Sequence, residues 1–171
     1  MNSLAVASKS AIRIVKAGLD RLDDVEPLWH SLRDHHAAFA ATVAPVRPAE
    51  ESWTRRRAEY VRWLSDSSAT LLLAEDVAPL GYLMLHIAHG PSTWAIGDLI
   101  AEVETLSVVP AARERGVGKL LMAAARGEAR ERGAAALQVA LVHANDGARR
   151  FYEREGFRAF YLSMLAPLEE G

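Results

Sequence analysis

The most specific chemistry in this 171-residue chain lies between Val108 and Leu120. The stretch reads Val-Val-Pro-Ala-Ala-Arg-Glu-Arg-Gly-Val-Gly-Lys-Leu: an apolar strand end, a glycine-bearing turn, then the apolar spacing of a helix. The first N–H groups of a helix have no internal acceptor, and the helix dipole places partial positive charge there. Gly116 and Gly118 remove side chains that would hold an anion away from those groups. Arg113, Arg115 and Lys119 add full positive charge beside them. That combination suits a phosphate. A Walker A loop needs a glycine well upstream and a Ser or Thr after Gly118-Lys119, but Arg113 and Leu120 stand there. A dinucleotide fingerprint needs three spaced glycines early in a βαβ unit, and that fails too. On the turn alone, a second reading stays open: Gly116 and Gly118 simply permit close packing.

The elements that must hold this turn are read from periodicity. Ile12 to Val15 reads as a first strand. Leu22, Val25, Leu28, Trp29, Leu32 and His36 recur at helical spacing, with Asp20, Asp23 and Asp24 at the positively polarised start. Pro27 requires that position to fall in or near the first turn. A second helix is expected from Glu50 to Ser65, with Trp53, Tyr60, Val61 and Leu64 as its apolar stripe. Ala69–Glu75 and Tyr82–Ala88 form an expected antiparallel hairpin, and Leu99–Val109 a further strand stopped by Pro110. After the turn come a helix over 116–132 capped by Gly133, a buried strand Ala136–Val142, a helix over 145–155 closed by Gly156, and a last strand Phe157–Leu165. The order β-α-α-β-β-β-α-β-α-β predicts an α/β protein with a mixed sheet and helices on its faces.

Composition narrows the class. Half the residues are hydrophobic, a quarter are charged, and the net charge is -2, which gives no basic excess for nucleic acid. The run Arg55-Arg56-Arg57 lacks interleaved aromatics and is read as a solvated helix face. No stretch approaches the ~18 apolar residues that cross a bilayer, so no membrane partner is expected. With no cysteine, a thiolate nucleophile and a cysteine zinc site are excluded, which fits a reducing cytoplasm. Residues 1–10 are read as a loose tail and 11–171 as one domain.

A second motif changes the weight of the first. Asn145-Asp146-Gly147-Ala148-Arg149-Arg150-Phe151-Tyr152-Glu153-Arg154-Glu155-Gly156-Phe157 follows a buried strand. Together the two segments resemble the GNAT superfamily of acyl-CoA N-acyltransferases. Its cofactor turn, Gln/Arg-x-x-Gly-x-Gly/Ala, is matched by Arg113, Gly116 and Gly118. Its later motif is matched in register by Asn145, Ala148, Phe151, Tyr152, Glu153, Gly156 and Phe157. The element order extends the resemblance from about Ile12 to Leu165. Glu114 departs from the pattern: many relatives carry glycine there, and its side chain is expected to point to solvent.

The resemblance implies a GNAT-like sheet that splays open between its fourth and fifth strands to receive pantetheine. It implies that N–H groups of roughly Arg115 to Lys119, including Gly116, Val117 and Gly118, hold the pyrophosphate of acetyl-CoA. The strand backbone at Leu106 and Val108 then pairs with pantetheine, the Leu106 N–H polarises the thioester carbonyl, and Asn145 contacts the pantetheine region. Tyr152 matches the general acid; a phenol of pKa near ~10 stays protonated at neutral pH and can donate to a thiolate. Glu104, expected on the same strand face as Leu106, is the base or the end of a water relay. Glu102 on that face is a weaker candidate, and Asp98 lies just before the strand.

The implied activity is transfer of acetyl to a primary amine on a small molecule or peptide, by direct attack in a ternary complex. Two alternatives stay open: a CoA-binding sensor with little chemistry, and a protein or peptide N-acetyltransferase. His30, His35 and His36 lack a spaced carboxylate, so no metal is expected. Trp53 and Tyr60 are read as core. Trp29, Trp94 and, as an alternative to its core reading, Trp53 are weaker substrate-side candidates, and residues 35–60 are expected to help wall the acceptor site. A homodimer is a further expectation, with Phe160-Tyr161-Leu162 contributing.

Overall fold

Leu71, Leu72, Leu73 and Ala74 are all buried, with alternate residues serving two different cores. A strand apolar on both faces must lie between two layers. In the computed structural model, which describes residues 11–40 and 44–168, it does. The strands are β1 (Arg13–Ala17), β2 (Ala69–Glu75), β3 (Pro79–His89), β4 (Leu99–Val108) and β5 (Ala136–Val139). They form one sheet in the order β1-β2-β3-β4-β5. Every pairing is antiparallel except β4 with β5, which is parallel. The expected tail, residues 1–10, lies outside the described residues.

Helices α1 (Leu22–Ala40) and α2 (Ala49–Ser65) cover one face. There Leu22, Val25 and Leu28 of α1 and Trp53 and Tyr60 of α2 meet Leu71, Leu73, Tyr82 and Met84. Helices α3 (Val117–Glu131) and α4 (Asp146–Arg154) cover the other. Val117, Leu121, Met122 and Ala125 of α3 and Tyr152 of α4 pack on Leu72, Leu83, Leu85, Ala101 and Val103. Each fully buried aliphatic side chain contributes roughly 1.5–3 kcal/mol. Two-sided burial therefore clamps β2, β3 and β4 in place. Pro27 lies in the second turn of α1 rather than the first, where its missing N–H leaves the Asp23 carbonyl without its helical donor.

Two irregularities set the course of β4. Met84 pairs with Thr105 and Leu85 with Val103, so Glu104 is an extra residue, a β-bulge. The bulge reverses the alternation. Glu104 faces α2, whereas Leu106 packs in the α3 core. The expectation that Glu104 and Leu106 share a face is corrected. The second irregularity is an early parting: the β4–β5 ladder runs from Ile100↔Ala136 only to Val103↔Val139. Among the described residues, Glu104 to Val108 has β3 on one side and no strand on the other.

The expected strand Phe157–Leu165 does not form; residues 157–168 carry no regular structure. Phe157 is held, its N–H donating to the Tyr152 carbonyl at 2.9 Å. Beyond it Phe160, Tyr161, Leu162, Met164 and Leu165 are exposed. β5 is short, ending at Val139 rather than Val142. Without a longer partner edge, an apolar segment has neither ladder bonds nor a layer to cover it.

Candidate active site

The chain leaves β4 at Val108, makes a 3-10 turn over Pro110–Ala112, and enters α3 through Gly116. Gly116 has φ of 81°, and a side chain there would meet nothing within 4 Å. Its glycine is thus a matter of backbone conformation, not room. Gly118 is the reverse case, since an added Cβ would come 3.3 Å from the Phe151 ring of α4. That close contact is what the packing reading expects of Gly118. The first helical bond runs from the Leu120 N–H to the Gly116 carbonyl at 3.0 Å, so the N–H groups of Val117, Gly118 and Lys119 have no helical acceptor.

Arg113, Arg115 and Lys119 surround this helix start, all exposed. Arg115 bonds the Asp76 carboxylate at 3.2 Å, and Arg113 donates to the Val108 carbonyl at 3.4 Å. Glu114 is exposed, as expected from its departure from the glycine pattern. Its φ of 63° shows that the backbone has kept the left-handed form that glycine favours.

Along the unpaired half of β4, Leu106 and Val108 are half-buried and back onto the α3 core. Asn145 is buried at the start of α4, where its side-chain oxygen accepts from the Ala148 N–H at 3.0 Å. It is thus the N-cap of the helix that carries Tyr152. Its amide nitrogen lies 3.5 Å from His35 Nε2 of α1. Tyr152 is buried, edge-on to Phe151 and Phe157. Burial pushes its phenol well above the ordinary value. Among the described residues its hydroxyl has no hydrogen-bond partner.

Glu104 sits on the opposite face, in a group assembled from three elements. Its carboxylate lies 3.9 Å from Arg56 of α2 and 3.8 Å from His86 Nδ1 of β3. Glu102 shares that face and accepts from the Gln138 amide at 3.1 Å. Burial raises the Glu104 carboxyl above its usual range, Glu102 adds to the shift, and Arg56 opposes it. A carboxylate shifted this way holds a proton more readily. Asp98 is exposed just before β4.

Arg56 corrects the view of residues 55–57 as a solvated face. Its guanidinium lies 4.9 Å over the Trp29 ring and 5.6 Å from Tyr60, and it pairs with Glu59 at 3.1 Å. Trp53 and Tyr60 are core as expected, with the Tyr60 hydroxyl 2.6 Å from Thr105 Oγ1. Burial pushes the Tyr60 phenol up to about 12. Trp94 is half-exposed and meets Phe160 edge-on. His30 does have a spaced carboxylate, Glu26 at 3.4 Å. His86, Arg56, Trp63 and His35 were missed as site residues. The only signal for His86 was its place on the strand alternation that runs through Tyr82 and Met84.

The glycine turn, the parted strands and the buried tyrosine coincide with a direct match. The Acetyltransferase (GNAT) family model aligns with residues 29–157, well over half the chain. The chain belongs to the GNAT acetyltransferase family. A mycothiol acetyltransferase of Rhodococcus jostii (strain RHA1) is 32% identical over 137 residues, which cover 76% of this chain. The match spans only 42% of that relative's length. Among solved structures, a GCN5-related N-acetyltransferase from Ralstonia eutropha JMP134 superposes with a TM-score of 0.73, 23% identity, and coverage of 92% of this chain and 99% of that one. The aminoglycoside N-acetyltransferase AAC(6')-Iy in complex with CoA gives a TM-score of 0.75 at 18% identity, covering 95% and 98%. These likenesses establish the GNAT fold. No helix of the described residues is long and apolar enough to cross a membrane.

Proposed function

We propose that this GNAT protein moves an acetyl group from acetyl-CoA to a primary amine by direct attack in a ternary complex. One observation carries the reading: the half of β4 left unpaired by β5 runs from Glu104 to Val108 and ends beside the α3 helix start. An extended amide-bearing arm has a strand edge to pair with there, and its phosphates have a positive N-terminus to meet.

In this mechanism the N–H groups from Arg115 to Lys119, with Arg113 and Arg115 beside them, hold the pyrophosphate. The backbone at Leu106 and Val108 pairs with pantetheine, and the Leu106 N–H polarises the thioester carbonyl. Asn145 orients α4 by capping it. Glu104 removes the proton of the substrate ammonium, directly or through water, with Glu102 as its charged neighbour. The amine nitrogen then attacks the carbonyl carbon, the C–S bond breaks, the Tyr152 hydroxyl gives its proton to the departing thiolate, and the extra proton on the new amide nitrogen returns to the Tyr152 oxygen. The acceptor is a small molecule or a peptide, and its cationic form is attracted by Glu102 and Glu104. The absence of cysteine fits a cytoplasmic setting. A homodimer in which Phe160, Tyr161 and Leu162 are covered belongs to the same reading.

Incubation with acetyl-CoA and a panel of amino sugars, polyamines and peptides, followed by mass spectrometry, tests it. Free CoA and an acceptor heavier by one acetyl group are expected. Tight CoA binding by calorimetry without transfer to any amine would instead favour the sensor reading.

A further inference from the structure

The transfer mechanism leaves Glu104 protonated after each cycle, half-buried among charged neighbours, and says nothing of how it is reset. His86 stands at the position from which that can be done. It is the register partner of Glu102 on β4, and the bulge brings Glu104 onto the same face. The donor atoms of His86, Glu102 and Glu104 all fall within 4.8 Å of one another. His86 Nδ1 is sealed from solvent, has no hydrogen-bond partner, and lies 3.8 Å from the Glu104 Oε1. The plane of the ring is held by stacking on Trp63, with centroids 4.8 Å apart and planes inclined by 26°.

We infer that His86 is a proton relay for Glu104. This rests on the reading of Glu104 as base. The ammonium proton passes to Glu104 Oε1, then to His86 Nδ1. His86, starting as the Nε2–H tautomer, releases its Nε2 proton to water. The resulting Nδ1–H tautomer is reset when a half-turn of the ring about Cβ–Cγ, within the plane of the Trp63 stack, carries Nδ1 from Glu104 to the solvent side, where it gives its proton to water as Nε2 takes one up. One proton enters and one leaves, and no other bond changes. Imidazole suits this task because it exchanges protons near neutral pH. The 3.8 Å separation exceeds a hydrogen bond, as catalytic pairs commonly do before substrate closes the site.

The surroundings supply a direction. Inward, the ring faces Glu102 and Glu104, with Arg56 and Glu59 of α2 beyond them. Outward, its side chain is 21% exposed, and that exposure belongs to atoms other than Nδ1. The end of α2 lies there with Arg62 and Asp66. The Asp66 carboxyl is held below its usual range first by Ser68, and further by the charges of His86 and Arg62. The proton thus moves from a half-buried carboxylate towards the exposed edge of the ring, where water can take it.

The test compares wild type with His86→Gln and His86→Phe, using acetyl-CoA and the panel amine of highest kcat/KM. His86→Phe keeps a ring on Trp63, and His86→Gln remains available should the phenylalanine variant not fold. The relay requires kcat to fall about 10-fold or more, the KM for acetyl-CoA to stay within about twofold, and added imidazole to restore part of the rate. A phenylalanine or glutamine variant with wild-type kcat and pH profile overturns it. A second readout needs no turnover: the His86 ring is titrated by nitrogen-detected NMR in wild type and Glu104→Gln. Loss of the carboxylate must lower the midpoint, and an unchanged midpoint overturns the relay. If wild type acetylates nothing, the function reading fails on its own, while the NMR comparison still decides the His86–Glu104 coupling.

Discussion

His35 of α1 and Asn145 at the start of α4 meet at 3.5 Å, although their helices cover opposite faces of the sheet. The contact passes where β4 and β5 have parted, the gap assigned to pantetheine. His35 titrates low because of burial and then the nearby Arg113 charge, and His36 is lowered by burial and then by His35 and Arg56. Both rings are therefore neutral at pH 7. A histidine lowered in the fold binds fewer protons than in the unfolded chain at mildly acid pH, so stability falls as pH drops below the unfolded value of ~6.5. Melting temperature is expected to decline between about pH 7 and pH 5, and His35→Gln with His36→Gln should flatten that decline. An unchanged slope in the double variant would count against this account.

Removal of Arg56 should retune the base. The Arg56 charge favours ionised Glu104, opposing the effects of burial and Glu102. Arg56→Met therefore raises the Glu104 carboxyl further, and the acid limb of the kcat profile moves to higher pH. Glu104→Gln should remove that limb and lower kcat about 10²-fold.

Tyr152→Phe keeps the ring between Phe151 and Phe157 and removes only the proton donor. A drop in kcat of about 10²-fold with little change in KM is expected. Because burial raises the phenol, wild-type kcat should hold into mildly alkaline solution. An early alkaline loss that disappears in the phenylalanine variant would contradict the assignment.

Glu114 pairs an unfavourable backbone with an unfavourable charge. Its φ of 63° is a left-handed conformation, which strains a side-chain-bearing residue by roughly 1–2 kcal/mol, partly offset by the added unfolded-state entropy of glycine. Glu114→Gly is expected to stabilise the fold by about 1 kcal/mol, and to tighten CoA binding by removing a negative charge. Gly118→Val should weaken CoA binding, since its side chain is driven against Phe151 or into the phosphate path. Calorimetry with CoA and thermal melts of both variants check the pair.

Much of this molecule is local. Ala69–Glu75 was legible to the residue because an unbroken apolar run allows one environment, a strand between two layers. The start of α3 was legible because Gly116 and the apolar spacing after it state a turn and a helix within one short stretch. The two halves of the family motif, around Arg113 and Asn145, likewise need no distant information.

What sequence spacing did not contain is the face on which each β4 side chain falls. One unpaired residue, Glu104, reverses every side chain after it, and a bulge depends on how β3 closes its hydrogen bonds, not on the residues of β4. Arg56 looked like surface because a run of three arginines carries no mark of which one finds Trp29 and Glu104. The segment after Phe157 looked like a strand because Phe160, Tyr161 and Leu162 have the composition of one, yet a strand is a relation to a partner edge, and β5 stops at Val139. Residue types and their spacing thus pointed to the family, to a glycine turn at a helix start and to the likeness of Tyr152 to an acid. Only tertiary pairing decided which charged groups surround Glu104, because contacts between strands and across layers depend on register and packing rather than distance along the chain.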